Sequence, residues 1–266
     1  MQIAFIGGGV MAEAIIGGII ESKITDAQDV HVGEPVEARR AHLENTYGLT
    51  AHANNRDALE DAGLSVLAVK PQSLPYVLPD LKGKLAKDNA LLSIVAGATM
   101  KTLTDGLDHK AVIRVMPNTP AQIGAGMSVW TAAPEVPEDK RATTKQILGT
   151  LGEELYADDE KLIDMATALS ASGPAYVFLF IETLIDAGVY IGMARDVARQ
   201  LALHTVLGSA QLVKETGSHP AVLKDMVTSP GGTTIETVRA FEDGGFRATI
   251  FSAVNAAYEK SKALGG

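Results

Sequence analysis

Apolar and polar positions alternate in two styles along the chain: short apolar runs broken by glycine turns fill the first 157 residues, and long helical stretches fill the rest. The apolar run 2–6 leads into Gly7-Gly8-Gly9-Val10-Met11-Ala12, after which Ala14, Ile15, Gly18 and Ile19 recur at helical spacing. That pattern predicts strand, glycine turn and helix. A second strand is predicted at Val30-His31-Val32, ending at Glu34, followed by a helix over 36–45, a short strand near Leu49, a helix over 55–62 and a buried strand over 65–69. Lys70-Pro71 stops this last strand, because proline donates nothing to a ladder and restricts the residue before it. Further strands are expected over 90–95, 111–116, 124–131 and 153–157, with a helix over 138–149. Repeated strand–loop–helix units predict a mainly parallel sheet covered on both faces, an α/β domain spanning 1–157.

From residue 158 the strand pattern is gone, and an all-α domain over 158–266 is expected. Asp158-Asp159-Glu160 suits the cap of a helix running to Ser170, and Ser172-Gly173-Pro174 breaks and restarts it. Residues 175–192 are apolar nearly all round, with Glu182 and Asp186 inside the run. A helix buried between subunits or domains accounts for this better than a membrane span. Helices follow over 195–215 and 246–264, the latter with Phe246, Ile250, Phe251, Val254 and Tyr258 gathered on one side, and the domain is expected to be stable only when it dimerises. Between them, Ser229-Pro230-Gly231-Gly232 forces a bend, and Thr233-Thr234-Ile235-Glu236 reads as a capping box opening a new helix at or next to Thr233. Taken alone, this is what any capped helix hairpin would show. Free amides behind two glycines, aligned with the helix dipole, also make a socket for a carboxylate or phosphate.

Composition narrows the chemistry. A net charge of -9, from 23 Lys+Arg against 32 Asp+Glu, argues against nucleic acid or an acidic membrane as partner. The chain has no cysteine, which excludes disulfides and thiolate nucleophiles; no metal site is expected, and a cytoplasmic setting is. Gly7, Gly9 and Ala12 fit the dinucleotide fingerprint G-x-G-x-x-G/A of a Rossmann domain, and Glu34 stands about where such domains place the acid that binds ribose hydroxyls. A solvated loop acid explains Glu34 equally well. Arg39 and Arg40 lie a turn beyond and suit a 2′-phosphate, so NADH and NADPH both stay open, with Glu34 leaning to NADH. Five loops, at 7–11, Glu34, 68–71, Ala96-Gly97 and Pro117-Asn118, are expected on one sheet edge, with Lys70 positioning cofactor rather than reacting.

None of the six histidines falls in those loops beside a carboxylate, and residues 172–192 hold no Lys or His to protonate a ketone. That absence points to an acceptor already carrying its proton, such as a cyclic imine anchored by a carboxylate. A 3-hydroxyacid dehydrogenase with an unusual proton donor and a nucleotide-sensing binding protein are the competing readings.

The segments FIGGGVM at 5–11, AVKPQ at 68–72, VMPNTP at 115–120, LSASGPAYVF at 169–178, DAGVYIGM at 186–193, LKDMVTSPGGTTI at 223–235 and GGFRATIFSAVNAA at 244–257 together resemble pyrroline-5-carboxylate reductase. The resemblance implies hydride transfer from NAD(P)H to the C=N carbon of 1-pyrroline-5-carboxylate, giving L-proline, by a Rossmann domain followed by a helical dimerisation domain, with dimers assembled into larger rings. By position it implies cofactor binding by Ile6, Gly7, Gly8, Gly9, Val10, Met11, Glu34, Asn55, Ala68, Val69, Lys70, Pro71, Ala96 and Gly97. Ser229, Gly231, Gly232, Thr233 and Thr234 would hold the substrate carboxylate, with the Thr234 hydroxyl and Glu160 near the ring nitrogen. Ala171 stands where glycine is usual, and Glu34 where many members place a hydroxyl residue.

Overall fold

The computed structural model describes residues 1–265. They form two compact units, Met1–Gly173 with the chain from Ala257 onward, and Pro174–Ala256.

In the first unit strands and helices alternate: β1 (Ile3–Ile6), α1 (Val10–Glu21), β2 (Val30–Gly33), α2 (Glu37–Tyr47), β3 (Thr50–His52), α3 (Asn55–Ala58), β4 (Leu64–Leu67), α4 (Leu74–Leu81), β5 (Ala90–Ser93), α5 (Met100–Leu107), β6 (Val112–Met116), β7 (Gly126–Ala132), α6 (Glu138–Gly149), β8 (Gly152–Tyr156) and α7 (Lys161–Ala166). The sheet runs β3-β2-β1-β4-β5-β6-β7-β8. Every neighbouring pair is parallel except β6 with β7. Because both faces are covered, successive β1 residues enter different cores. Ile3 and Phe5 join Ile15, Ile16, Ile19 and Leu43, while Ala4 and Ile6 join Leu67, Leu81 and Leu103. In α1 the buried Ala12, Ile15, Ile16 and Ile19 form one helical stripe. Each fully buried isoleucine contributes on the order of 1.5–3 kcal/mol. Strand order reverses between β1 and β4, which opens a crevice beyond the carboxyl ends of both.

Several boundaries differ from expectation, each for a local reason. The helix predicted over 55–62 is the single turn α3, because Asp61 takes a left-handed conformation at φ 59°. The helix expected to reach Ser170 ends as α7 and passes through a π turn at Thr167–Ala171, where the Ser172 amide and hydroxyl both donate to the Thr167 carbonyl. Pro174 has no N–H for the Ser170 carbonyl four residues earlier, and that oxygen accepts from Asn118 Nδ2 at 3.4 Å. Ile163 and Ala166 of α7 pack with Met116 and Val129, so α7 groups with the first unit although 158–266 was expected to be separate.

The second unit is built from α8 (Gly173–Tyr190), α9 (Arg195–Thr216), α10 (Pro220–Met226), α11 (Thr233–Asp243) and α12 (Phe246–Gly265), the last of which joins the first unit from Ala257. Its hydrophobic residues are mostly on the surface. Among the described residues of this unit, only Ala198 and Ala202 are buried hydrophobics, while Phe178, Leu179 and Phe251 are 61%, 63% and 78% exposed. The helical run Lys161–Tyr190 is long and apolar enough to cross a membrane by length and composition, yet it carries Asp164, Glu182 and Asp186. A helix set with that little core of its own needs a further surface to cover it.

Candidate functional site

The carboxyl edge of the sheet gathers the expected cofactor residues. At the end of β1 the Gly7 amide donates to the Gly33 carbonyl at 2.8 Å, and at the end of β4 the Ala68 amide donates to the Ile6 carbonyl at 2.9 Å. These bonds draw the two loops so close that a Cβ on Gly7, at φ 94°, would stand 2.9 Å from the Ala68 carbonyl oxygen. Gly9 is the N-cap of α1 with no capping side chain, and a Cβ there would meet nothing within 4 Å. The first-turn amides of α1 therefore face open space beside Val10, which is exposed, and Met11, which is half-buried. An uncapped helix start behind a glycine turn fits a pyrophosphate. Asn55 opens α3 against Gly33, where a Cβ would come within 2.7 Å of the Asn55 Cα. Val69 is half-buried and Lys70 and Pro71 are exposed on the β4 loop, and Ala96 and Gly97 follow β5.

Glu34 is a built-in group rather than a solvated loop acid. It is buried, its Oε2 accepts the Gly8 amide at 3.0 Å and its Oε1 accepts the Val36 amide at 2.9 Å. The two arginines beyond it are already engaged. Arg40 Nη1 donates to the Glu34 and Pro35 carbonyls at 2.8 and 2.9 Å. Arg39 Nε donates to the Gly8 carbonyl at 2.5 Å while its Nη2 pairs with Glu13. Glu13 also binds His42 at 2.8 Å and accepts from the Tyr47 hydroxyl at 3.3 Å. Burial works to raise the Glu13 pKa, but the hydrogen bonds and charges of His42 and Arg39 outweigh it and hold the carboxyl below its ordinary value. Tyr47 is pushed up, by its own burial first and by the Glu13 charge second. Glu13 thus stays anionic and keeps Arg39 turned toward the glycine loop.

In the second unit, α10 and α11 flank the predicted bend. Gly231 takes φ 67°, and the Gly232 amide returns to the Ser229 carbonyl at 3.1 Å. The capping box is corrected: Gly232 is the N-cap, Thr233 is the first helical residue, and Glu236 pairs with Arg239 instead of reaching back. Because Gly232 carries no side chain, α11 has no side-chain cap, and the amides of its first turn are left open. Ser229 folds over this start so closely that a Cβ on Gly232 would stand 2.3 Å from Ser229 Oγ. Thr234 is half-buried beside it. The turn therefore offers main-chain donors and two hydroxyl residues to an anion.

Glu160 belongs to the first unit. It precedes α7, where its Oε1 pairs with Arg114 and accepts the Met100 amide at 2.6 Å. Arg114 on β6 was not singled out from sequence, and Asn118, expected on this edge, was given no role of its own. Arg114 is 3% exposed and Asn118 Oδ1 accepts the Met127 amide at 2.9 Å. Placing both arginine partners required contacts 46 and 50 positions away, which no local pattern encodes.

Comparison with known proteins follows the same division. Residues 160–264 match the family described as pyrroline-5-carboxylate reductase dimerisation, and residues 2–97 the family described as NADP oxidoreductase, coenzyme F420-dependent. A pyrroline-5-carboxylate reductase of Synechocystis sp. is 46% identical over 265 residues, covering 100% of this chain and 98% of the relative. That of Escherichia coli is 42% identical, covering 99% and 98%. The crystal structure of Plasmodium falciparum pyrroline carboxylate reductase with NADP bound superposes with a TM-score of 0.91 at 34% identity, covering 100% of this chain and 98% of that one.

Proposed function

The chain belongs to the pyrroline-5-carboxylate reductase family, and from that premise we propose how its own residues divide the work of reducing 1-pyrroline-5-carboxylate to L-proline. The first unit holds the reduced dinucleotide: the open amides after Gly9 take the pyrophosphate, Glu34 takes the ribose hydroxyls, and Asn55, residues 68–71 and Ala96-Gly97 line the remainder. When bound, that cofactor supplies the hydride. The amides of Thr233 and Thr234, with Ser229, hold the substrate carboxylate against Gly231-Gly232, and the Thr234 hydroxyl orients the ring nitrogen. A protonated imine is electron-poor at carbon, so anchoring and orientation are the main contributions required of the protein. The observation that carries this reading is the uncapped start of α11 behind Gly231-Gly232.

Thr234→Ala is expected to lower turnover about 10- to 100-fold while leaving NADH affinity near wild type, since it removes one hydroxyl on the substrate side only. Spectrophotometric kinetics with pyrroline-carboxylate checks this, and unchanged turnover removes Thr234 from the mechanism. Oxidation of NADH by a 3-hydroxyacid's ketone but not by pyrroline-carboxylate would overturn the assignment.

NADH is the preferred cofactor in this proposal. Glu34 puts a carboxylate where a 2′-phosphate would lie, and Arg39 and Arg40 are already engaged, Arg39 by Glu13 and the Gly8 carbonyl and Arg40 by the Glu34 and Pro35 carbonyls. In Glu34→Ser the ratio of kcat/KM for NADPH to that for NADH is expected to rise at least about tenfold, because a repelling charge is exchanged for a neutral donor. A ratio that does not move contradicts the preference. The working form is a homodimer through residues 160–264, supported by the thin core of the second unit, and rings of dimers in the cytoplasm belong to the same proposal.

A further inference from the structure

A cluster outside the proposed chemistry, built on the buried Arg114 and two partly exposed carboxylates, closes around the loop between β5 and α5. Arg114 on β6, 3% exposed, pairs through Nη1 with Glu160 and lies 3.9 Å through Nη2 from Asp164 Oδ1. Glu160 Oε1 is also the acceptor for the Met100 amide, at 2.6 Å, which fixes the first residue of α5. Asp164 Oδ1 in turn accepts the Ser261 hydroxyl at 3.2 Å, and Ser261 is buried at 3% exposure. One turn later Leu264 lies over Gly97, where an added Cβ would come within 2.9 Å of the Leu264 Cβ and 3.2 Å of its carbonyl oxygen. Gly97 holds φ 76°, and a groove of about 450 Å³ lined by Pro71, Leu74, Ala96, Gly97 and Leu264 runs beside it.

The loop is therefore held at both ends, at Met100 by the Arg114–Glu160 pair and at Gly97 by the last turn of α12. We propose that Arg114, Glu160 and Asp164, together with Ser261 and Leu264, are positioning residues that set the height of the Ala96-Gly97 loop over the cofactor. The proposal rests on the reading of Ala96-Gly97 as a cofactor-binding loop. A buried arginine between two carboxylates can hold a backbone segment in one place because moving it would strand charge out of water. Main-chain groups of the loop then need no side chain of their own to be correctly placed, and misplacement of about 1 Å is enough to cost large factors in rate.

The test measures KM for NADH and for pyrroline-carboxylate in Arg114→Met, Arg114→Lys, Gly97→Ala and the double variant Ser261→Ala/Leu264→Gly. Arg114→Met and the double variant are expected to raise KM for NADH about tenfold with KM for pyrroline-carboxylate within about twofold of wild type, and Arg114→Lys to recover part of the loss. The double variant touches no buried charge and decides the matter if Arg114→Met does not fold. A rise in KM for NADH in Gly97→Ala without one in the double variant or in Arg114→Met overturns the positioning role alone. An unchanged KM for NADH in Gly97→Ala overturns the cofactor reading of the loop, and the proposal with it.

Discussion

The Gly7→Ala variant is expected to lose NADH affinity by at least about 100-fold and to unfold at a lower urea concentration than wild type, because backbone strain and a backbone clash coincide there. At φ 94° a side chain is strained whatever the space around it, which costs on the order of 1–3 kcal/mol. The added Cβ would also sit 2.9 Å from the Ala68 carbonyl oxygen and 3.2 Å from its carbon, and both are main-chain atoms tied into the sheet. Relief requires the loops after β1 and β4 to part, at the point where strand order reverses. Gly9→Ala separates stability from binding. Its φ of −68° suits any residue and its Cβ would meet nothing within 4 Å, so the protein should keep its urea midpoint while the methyl group fills the approach to the α1 amides and weakens NADH. Fluorescence titration with NADH and urea melts of both variants give the readout. Equal stability and affinity for Gly7→Ala and wild type would mean the glycine loop is not built as described.

The second large effect is expected in assembly. Phe178→Asp/Leu179→Asp should convert the protein to a monomer by sedimentation equilibrium and abolish turnover, with helix content by circular dichroism largely kept. Both side chains stand more than half exposed on α8, in a unit whose buried hydrophobics among the described residues are two alanines. Placing carboxylates in an interface that excludes water costs several kcal/mol each, of the order of 2–7 for an uncompensated polar group and more for a charge. A dimer that survives both substitutions shows that α8 is not the covered face.

Much of this arrangement was legible because the decisive signals are local. The glycine loop, the strand ending at Glu34 and the bend at 229–232 each occupy a few consecutive residues whose backbone preferences leave little choice. What escaped was either atypical or remote. α4 begins with Pro75 in its first turn and contains Pro79, so its sequence reads as broken although Leu74, Leu78 and Leu81 bury one face. α5 is eight residues long and carries Gly106, which packs against Leu78 and is there for closeness rather than flexibility. The capping box looked convincing at Thr233-Thr234-Ile235-Glu236, yet Gly232 took the N-cap position and Arg239 took the glutamate. Arg114 carries no local sign of its role, since its partners Glu160 and Asp164 come from the segment that follows the last strand of the sheet. The near-continuous apolar character of α8 predicts a buried helix, yet none of its residues is buried within this chain.

The grip of main-chain amides on the substrate carboxylate is tested most directly at Thr233. It is the first helical residue of α11, where proline is tolerated, and Gly232 before it already has the extended conformation that proline demands, at φ −81° and ψ 175°. Thr233→Pro therefore deletes one amide hydrogen with little disturbance of the helix, and Thr233→Ala deletes the hydroxyl but keeps the amide. Steady-state kinetics of the pair should show KM for pyrroline-carboxylate at least about tenfold higher in Thr233→Pro than in Thr233→Ala, with KM for NADH equal in both, as the loss of a charge-assisted hydrogen bond requires. Equal KM values for pyrroline-carboxylate in the two variants would contradict the account.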